Sequence, residues 1–447
     1  MIKDKYFYKT FFSLFGIVSL QSIIVFSVNL VDSMMLGSYS ELSMSGVSLA
    51  NQIQFLLHMF VNGAANGLVV IASQYWGRKN LEPIKRVSAV AILSGVLLSA
   101  VLMCAVLISP TGILSILSNE TEIVAEGAKY IEIMAFSYII FAVTNILIAL
   151  MRSIEVVKIG FYTSVVALIF NITLNYCLIF GNFGFPEMGV RGAAIATLIS
   201  RIAELIFVLF YVFVYDKRLK LRVKDLFRIE KAYLKDYIRA GLPLMGSGGS
   251  WGVAMTVQTA IIGRLGEACI GANAVTAPIF QVVSVLYASS GNASSVLIGK
   301  TVGERDIDRV KSYSKKLQLI YLAIGIVSCS IVLLSRDFLV SMYDVTAETA
   351  ALATVFINIF AVTVIGSSYE APCLCGIVSG GGDTRFVFKN DIIFMWCMVL
   401  PLAFLSAFVF QWPVPVTFFI LKSDQLTKCI VAVIKVNRYK WIKTLTR

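Results

Sequence analysis

The chain has 447 residues, 58% of them hydrophobic and only 14% charged, with a formal net charge of +12. Soluble globular chains carry roughly a quarter charged residues, so this composition excludes a water-soluble fold. The single histidine excludes a multi-histidine metal centre. Cys373 and Cys375 are the one close pair among eight cysteines, and the thiols read as buried and inert.

Apolar runs of about 20 residues recur along the chain, each long enough to cross the ~30 Å hydrocarbon core as a helix. They are continuously apolar and lack a period of two, which excludes a spanning barrel. Lys3, Lys5 and Lys9 precede the first run. That run continues from Phe11 to about Gly37 without a small-residue cleavage site, so it reads as a first span and not a leader. The predicted spans are 11–37, 47–72, 87–109, 128–151, 159–181 and 189–215, then 238–263, 270–299, 317–335, 350–379, 390–410 and 413–434. Twelve crossings put both ends on one side.

Charge identifies that side. The connections opposite the termini hold only Lys129, Arg191, Arg264 and Arg336, and Arg201, Lys422 and Lys428 lie inside the spans. The other Lys and Arg gather at the termini and in the loops on their side, which makes that side cytoplasmic. The positive charge is spread over every such loop, without one aromatic-interleaved basic patch. Membrane orientation explains it, and a nucleic-acid partner is not expected.

The longest polar stretch, 216–239, follows the sixth span. It divides the chain into a six-helix lobe at 1–215, a cytoplasmic linker at 216–237 and a second six-helix lobe with a short tail at 238–447. Part of the linker is expected to lie along the membrane surface as an amphipathic stretch. Shifting the sequence by 226 residues aligns Val31 with Val257, Gly37 with Gly263, Glu41 with Glu267, Asn66 with Asn292 and Gly77 with Gly303. An even number of spans per half makes the repeats parallel, related by a pseudo-two-fold axis along the membrane normal. Such repeats place a substrate site near the midplane between the halves. The expected class is therefore all-α, polytopic, in two like-facing lobes.

Polar residues inside spans mark candidate sites, because a charge at a span centre costs about 2.5–3.5 kcal/mol. Asp32 lies in the first span without a basic neighbour in sequence. It either exchanges a proton or, as an anion, holds Na⁺. In the second span Gln54, His58, Asn62 and Asn66 recur every four residues on one stripe, which faces a cavity or another helix. His58 is a proton relay or a satisfied packing residue. Asn171 and Asn175 share one face of the fifth span, as cation ligands or as packing glue. Arg201 and Glu204 are three apart in the sixth span and read as an intramembrane ion pair. Gln258 takes the place of Asp32 in the second half, and Asn62, Asn66 and Gln258 are candidate polar contacts for a substrate. Glu370 and Asp391 lie nearer the cytoplasmic ends of their spans, where interfacial water would make them cheap. The turn Gly380-Gly381-Gly382-Asp383 lacks the lysine and helix pattern of a phosphate loop.

Several motifs together resemble the multidrug and toxic compound extrusion (MATE) family over nearly the whole chain. They are Val31-Asp32-Ser33-Met34-Met35-Leu36-Gly37, Gly77-Arg78-Lys79-Asn80, Asn171-Ile172-Thr173-Leu174-Asn175, Ala196-Thr197 and Gly380-Gly381-Gly382-Asp383-Thr384-Arg385. The resemblance implies two lobes around a central cavity and export of organic compounds against inward H⁺ or Na⁺. It assigns Asp32, Asn171, Asn175 and Thr197 to the cation site of the first lobe. Many members have aspartate where this chain has Asn175, and its absence tilts the coupling ion towards H⁺. The neutral Gln258 argues against a second acidic site in the second lobe.

The resemblance further implies small organic substrates, no cofactor besides the coupling ion, no metal site other than Na⁺ at Asp32, and a monomer in a bacterial plasma membrane. A flippase for lipid-linked precursors is the alternative, but it would favour a strongly cationic cavity. An intramembrane enzyme would need a catalytic pair, and a channel a pore-loop filter. Neither feature is visible.

Overall fold

The computed structural model describes every residue except Met1 and Asp344. The side chains of residues 2–4, Lys3 among them, also lie outside the described residues. The described chain is helical without strands, in sixteen α-helices. In order they are α1 (Ile2–Tyr39), α2 (Glu41–Gly77), α3 (Leu81–Ile108), the short α4 (Pro110–Ser115), α5 (Thr121–Met134) and α6 (Ser137–Ser153). Then come α7 (Lys158–Phe180), α8 (Gly189–Phe210), α9 (Lys231–Gly263), α10 (Glu267–Gly303), α11 (Ile307–Ser341) and α12 (Ala347–Ala371). The last are α13 (Thr384–Asp391), α14 (Leu400–Phe404), α15 (Val414–Lys422) and α16 (Asp424–Asn437).

Among the described residues nine helical stretches are long and apolar enough to cross a membrane alone. A tenth crossing is α5 with α6, bent by 55° between them. The seventh and twelfth expected spans correspond to α9 and to the α15–α16 pair, which breaks at Ser423. Lys422 ends α15 and Lys428 lies on α16, so both stand within the twelfth span. Side-chain caps start several helices: Ser40 accepts from the Ser43 amide at 3.4 Å, Asp306 from Arg309 at 3.0 Å and Thr346 from Thr349 at 3.3 Å. Pro372 ends α12 and opens a widened turn over Pro372–Val378. Proline lacks the amide hydrogen and crowds the carbonyl one turn back, so the ladder re-registers there. Pro401 follows a similar widened segment, Ile392–Val399.

The chain packs as two compact units. One is Leu20–Met245; the other joins the residues up to Ser19 with Gly246–Arg447. In the first, α2 is the central helix, and Leu57, Val61, Met134 and Ala142 are buried in one core with it. Here the α2 backbone approaches that of α9 closely. A Cβ on Gly67 would lie 2.5 Å from Gly241 Cα, so glycine at both positions permits the crossing. In the second unit Phe356 and Phe418 stack at 3.8 Å, and Phe7 meets Tyr313 at 4.7 Å.

The Gly380–Asp383 turn is clasped by the chain's own C-terminal segment. Trp441 is fully buried against Gly381, where any side chain would collide with its ring. The Lys443 amide donates to the Gly381 carbonyl at 2.7 Å. Asp383 pairs with Lys435 at 2.8 Å and Lys443 at 2.7 Å. Gly382 has φ of +100°, a conformation that favours glycine. The glycine run thus serves packing and turn geometry.

Candidate functional site

The functional candidates of the first unit converge on Asp32. It sits on α1 in the wall of a cavity of about 460 Å³, together with Tyr130 from α5 and Thr197 and Arg201 from α8. Asn51, Gln52 and Gln54 of α2 also line it. Such a volume suits a small organic molecule, and these polar groups would orient one.

Behind Asp32 runs a chain of neutral side chains. Asn175 Nδ2 donates to Asp32 Oδ1 at 2.5 Å and to Asn171 Oδ1 at 3.2 Å. Asn171 Nδ2 donates in turn to Thr197 Oγ1 at 3.3 Å. Helical periodicity places Asn171 and Asn175 on one face of α7, and their contact with Asp32 turns that face towards α1. All three partners are buried. The remaining oxygen of Asn175 is buried with no hydrogen-bond donor. An acceptor left open in a buried polar cluster is uncommon, and it stands beside the one carboxylate of the group.

Arg201 adds the positive charge. Its Nη1 lies 2.8 Å from Glu204 Oε2, as the i, i+3 spacing predicts. The same guanidinium lines the Asp32 cavity and also a smaller one, of about 20 Å³, shared with Asn171, Thr197 and Glu204. That smaller space is large enough for one water molecule. Arg201 also stands 5.5 Å above the Phe141 ring. The wall around Asp32 therefore holds one carboxylate and one guanidinium, with a second carboxylate on the far side of the guanidinium.

The other candidates fall elsewhere. The α2 stripe faces α6. Asn62 accepts from Asn145 at 2.7 Å, and Asn66 accepts from Arg152 at 3.3 Å. His58 stacks on Phe141 at 3.9 Å and lies 3.4 Å from the Gln54 amide. Gln258 is buried in the second unit, its amide on the Met395 sulfur at 3.4 Å. Glu370 was expected to be solvated at an interface, yet it is only 8% exposed. Lys428, buried on α16, holds Asp391 at 3.1 Å and Asp424 at 3.5 Å in a separate ion-paired group. Sequence reasoning missed Tyr130, an aromatic inside the expected fourth span that no spacing or charge marks. It also missed Lys428, although Asp424 and Lys428 stand four apart inside an apolar run.

Known proteins share this arrangement of helices. The MatE family model matches residues 18–177 and again 251–405, once in each half of the chain. The uncharacterized transporter YisQ of Bacillus subtilis (strain 168) is 26% identical over 84% of this chain and 82% of its own length. The probable multidrug resistance protein NorM of Streptococcus pneumoniae (strain ATCC BAA-255 / R6) is 24% identical over 85% of this chain and 83% of its own. A crystal structure of MATE in complex with MaL6 superposes with a TM-score of 0.86 at 17% identity, covering 96% of this chain and 95% of that one. An outward-facing multidrug resistance MATE family transporter gives the same TM-score at 18% identity, with the same coverage. At those identities the solved structures speak for the fold, while the twofold family match covers more than half the residues. The chain therefore belongs to the MatE family of multidrug efflux transporters, and it is a multi-pass membrane transporter and not an enzyme.

Proposed function

We propose that this transporter exports organic cations and amphipathic compounds in exchange for protons, with Asp32 as the proton carrier. One observation carries the reading. The sole carboxylate of the polar cluster faces a 460 Å³ cavity, bonded to a neutral amide and with a guanidinium on the same wall. A proton needs one oxygen. Sodium, a hard cation, favours several oxygen donors, charged ones above all. Asn175 presents its N–H to Asp32, and Arg201 would repel a metal ion. Both features favour H⁺ over Na⁺.

The cycle follows from charge. Outward-open protein takes up a proton at Asp32 from outside. The neutral acid no longer attracts a cationic ligand, and its hold on Arg201 weakens. The helices around Asp32 repack, the ligand leaves outward, and the lobes rock inward. The proton then passes to the cytoplasm and the ionised carboxylate binds the next substrate. The lobes at 1–215 and 238–447 would move about the 216–237 linker, with both termini in the cytoplasm of a bacterial cell and one chain sufficient for function. Lipid-linked pyrophosphate is a poor fit, because the Asp32 cavity carries a carboxylate on its wall.

Proton and substrate should then compete in the purified protein. Binding of a cationic dye, read by fluorescence polarisation, is expected to weaken by about tenfold for each pH unit below the Asp32 pKa. A dissociation constant that stays level between neutral and acid pH would contradict the reading.

A further inference from the structure

The segment 216–230, which follows the sixth span, is fastened to the start of α3 within the unit Leu20–Met245. Leu219 and Leu221 are buried while Lys220 and Arg222 are exposed, the alternation of an extended stretch with one face on protein. Arg218 Nη1 donates to the Ile154 carbonyl at 3.3 Å, and Lys85 Nζ to the Lys220 carbonyl at 3.3 Å. Lys85 and Arg86 immediately precede the apolar run at 87–109. The segment is therefore held at the level of the lipid headgroups.

All three acids of the segment are engaged by the protein itself. Asp216 accepts from the amides of Arg218 at 3.3 Å and Leu219 at 2.9 Å. Asp225 accepts from the Arg222 amide at 3.0 Å and lies 3.7 Å from Lys85 Nζ. Glu230 meets Arg86 Nε at 3.2 Å. The bases divide the other way. Arg222, Lys224 and Arg228 are exposed, and their side chains join no ion pair among the described residues. Among them the short helical turn Val223–Phe227 leaves Val223 56% and Phe227 81% exposed. A loose loop could fold its phenylalanine away from water. Here both flanks are tied down, so Phe227 stays outside. Acids turned inward, with bases and an aromatic turned outward, complement an anionic headgroup layer with acyl chains beneath it.

We propose that Arg222, Lys224, Phe227 and Arg228 form a docking face for anionic phospholipid of the cytoplasmic leaflet. The lipid phosphates meet the three bases, and the Phe227 ring enters the boundary of the acyl chains. A soluble protein is the poorer occupant, because the segment is fixed beside the first residues of a span, where the leaflet is the nearest surface. The segregation of charge adds a requirement for anionic lipid that amphipathic character alone does not carry. The face stands apart from Asp32 and is independent of the coupling ion.

Hydrogen exchange at the amides of 222–229 reads the docking in the full chain, held in phosphatidylcholine nanodiscs with increasing phosphatidylglycerol. Exchange there should slow as phosphatidylglycerol is added. The fraction that gives half the protection should rise about fivefold for each of Arg222→Gln, Lys224→Gln or Arg228→Gln, the factor that one interfacial base contributes. Added salt should raise it as well, because headgroup attraction is screened. The triple variant should lose the lipid dependence and exchange like the unmodified chain everywhere else. Equal exchange in the two lipids, or a phosphatidylglycerol effect that survives the triple variant, would overturn the docking face. Equal protection by inorganic phosphate in phosphatidylcholine alone would overturn lipid as the source. Protection that grows with protein concentration in detergent without lipid would assign the face to a second copy instead.

Discussion

Asp32→Asn is expected to abolish ion-coupled efflux while the protein still folds and reaches the membrane. The substitution keeps the shape of the side chain and removes the one titratable oxygen pair of its polar cluster. Asn175 would still meet a hydrogen-bonding partner at the same place, and Arg201 would keep its 2.8 Å contact with Glu204. The cost in stability is therefore small, about 1 kcal/mol for one altered hydrogen bond. The cost in function is large, because the variant has one charge state where the cycle needs two. Dye efflux should fall to the level of liposomes without protein, with membrane abundance close to the unmodified chain. Efflux that persists at normal abundance would show that the carboxylate is structural.

Lys428→Met has the opposite signature, with a large effect on stability. The side chain is 5% exposed and holds two carboxylates from different helices, Asp391 of α13 and Asp424 of α16. Methionine fills a similar volume and carries no charge, leaving the buried Asp424 and the half-buried Asp391 without the ammonium that pairs them. Breaking one side of a buried ion pair typically costs about 3–5 kcal/mol. Thermal unfolding in detergent should begin at a clearly lower temperature than in the unmodified chain. The double variant Lys428→Met with Asp391→Asn should recover part of that loss, because it removes one stranded charge. An unfolding curve unmoved by Lys428→Met would mean that water or lipid headgroups already solvate the group.

Much of the architecture was legible because each crossing demands about 20 apolar residues, and such runs are hard to miss. The bend between α5 and α6 was not. The residues around it, Met134 to Ser137, include neither proline nor glycine, so no local signal announces it. The first span was legible as a helix, but no pattern within it separates the part up to Ser19, which packs with the later half of the chain, from the rest.

The candidate site divides the same way. Asp32 stood out as a charge inside an apolar run. Its bond to Asn175 joins residues 143 apart, and no spacing rule connects them; only the family resemblance grouped the two. The polar stripe of α2 was legible as a face turned away from lipid, whereas its pairing with α6 needed tertiary structure. In the second half, the 226-residue shift directed attention to Gln258. The buried acids there come instead from α12, α13 and α16, positions that the shift relates to no charged residue of the first-half site.

Export in proteoliposomes with separately imposed gradients tests proton coupling most directly. Purified protein is reconstituted, a cationic dye is loaded, and either a pH gradient or a Na⁺ gradient is applied alone. The pH gradient should drive dye movement, accompanied by proton flow in the opposite direction, and the Na⁺ gradient at uniform pH should drive none. Dye movement under the Na⁺ gradient alone, with no response to pH, would contradict the proposed coupling.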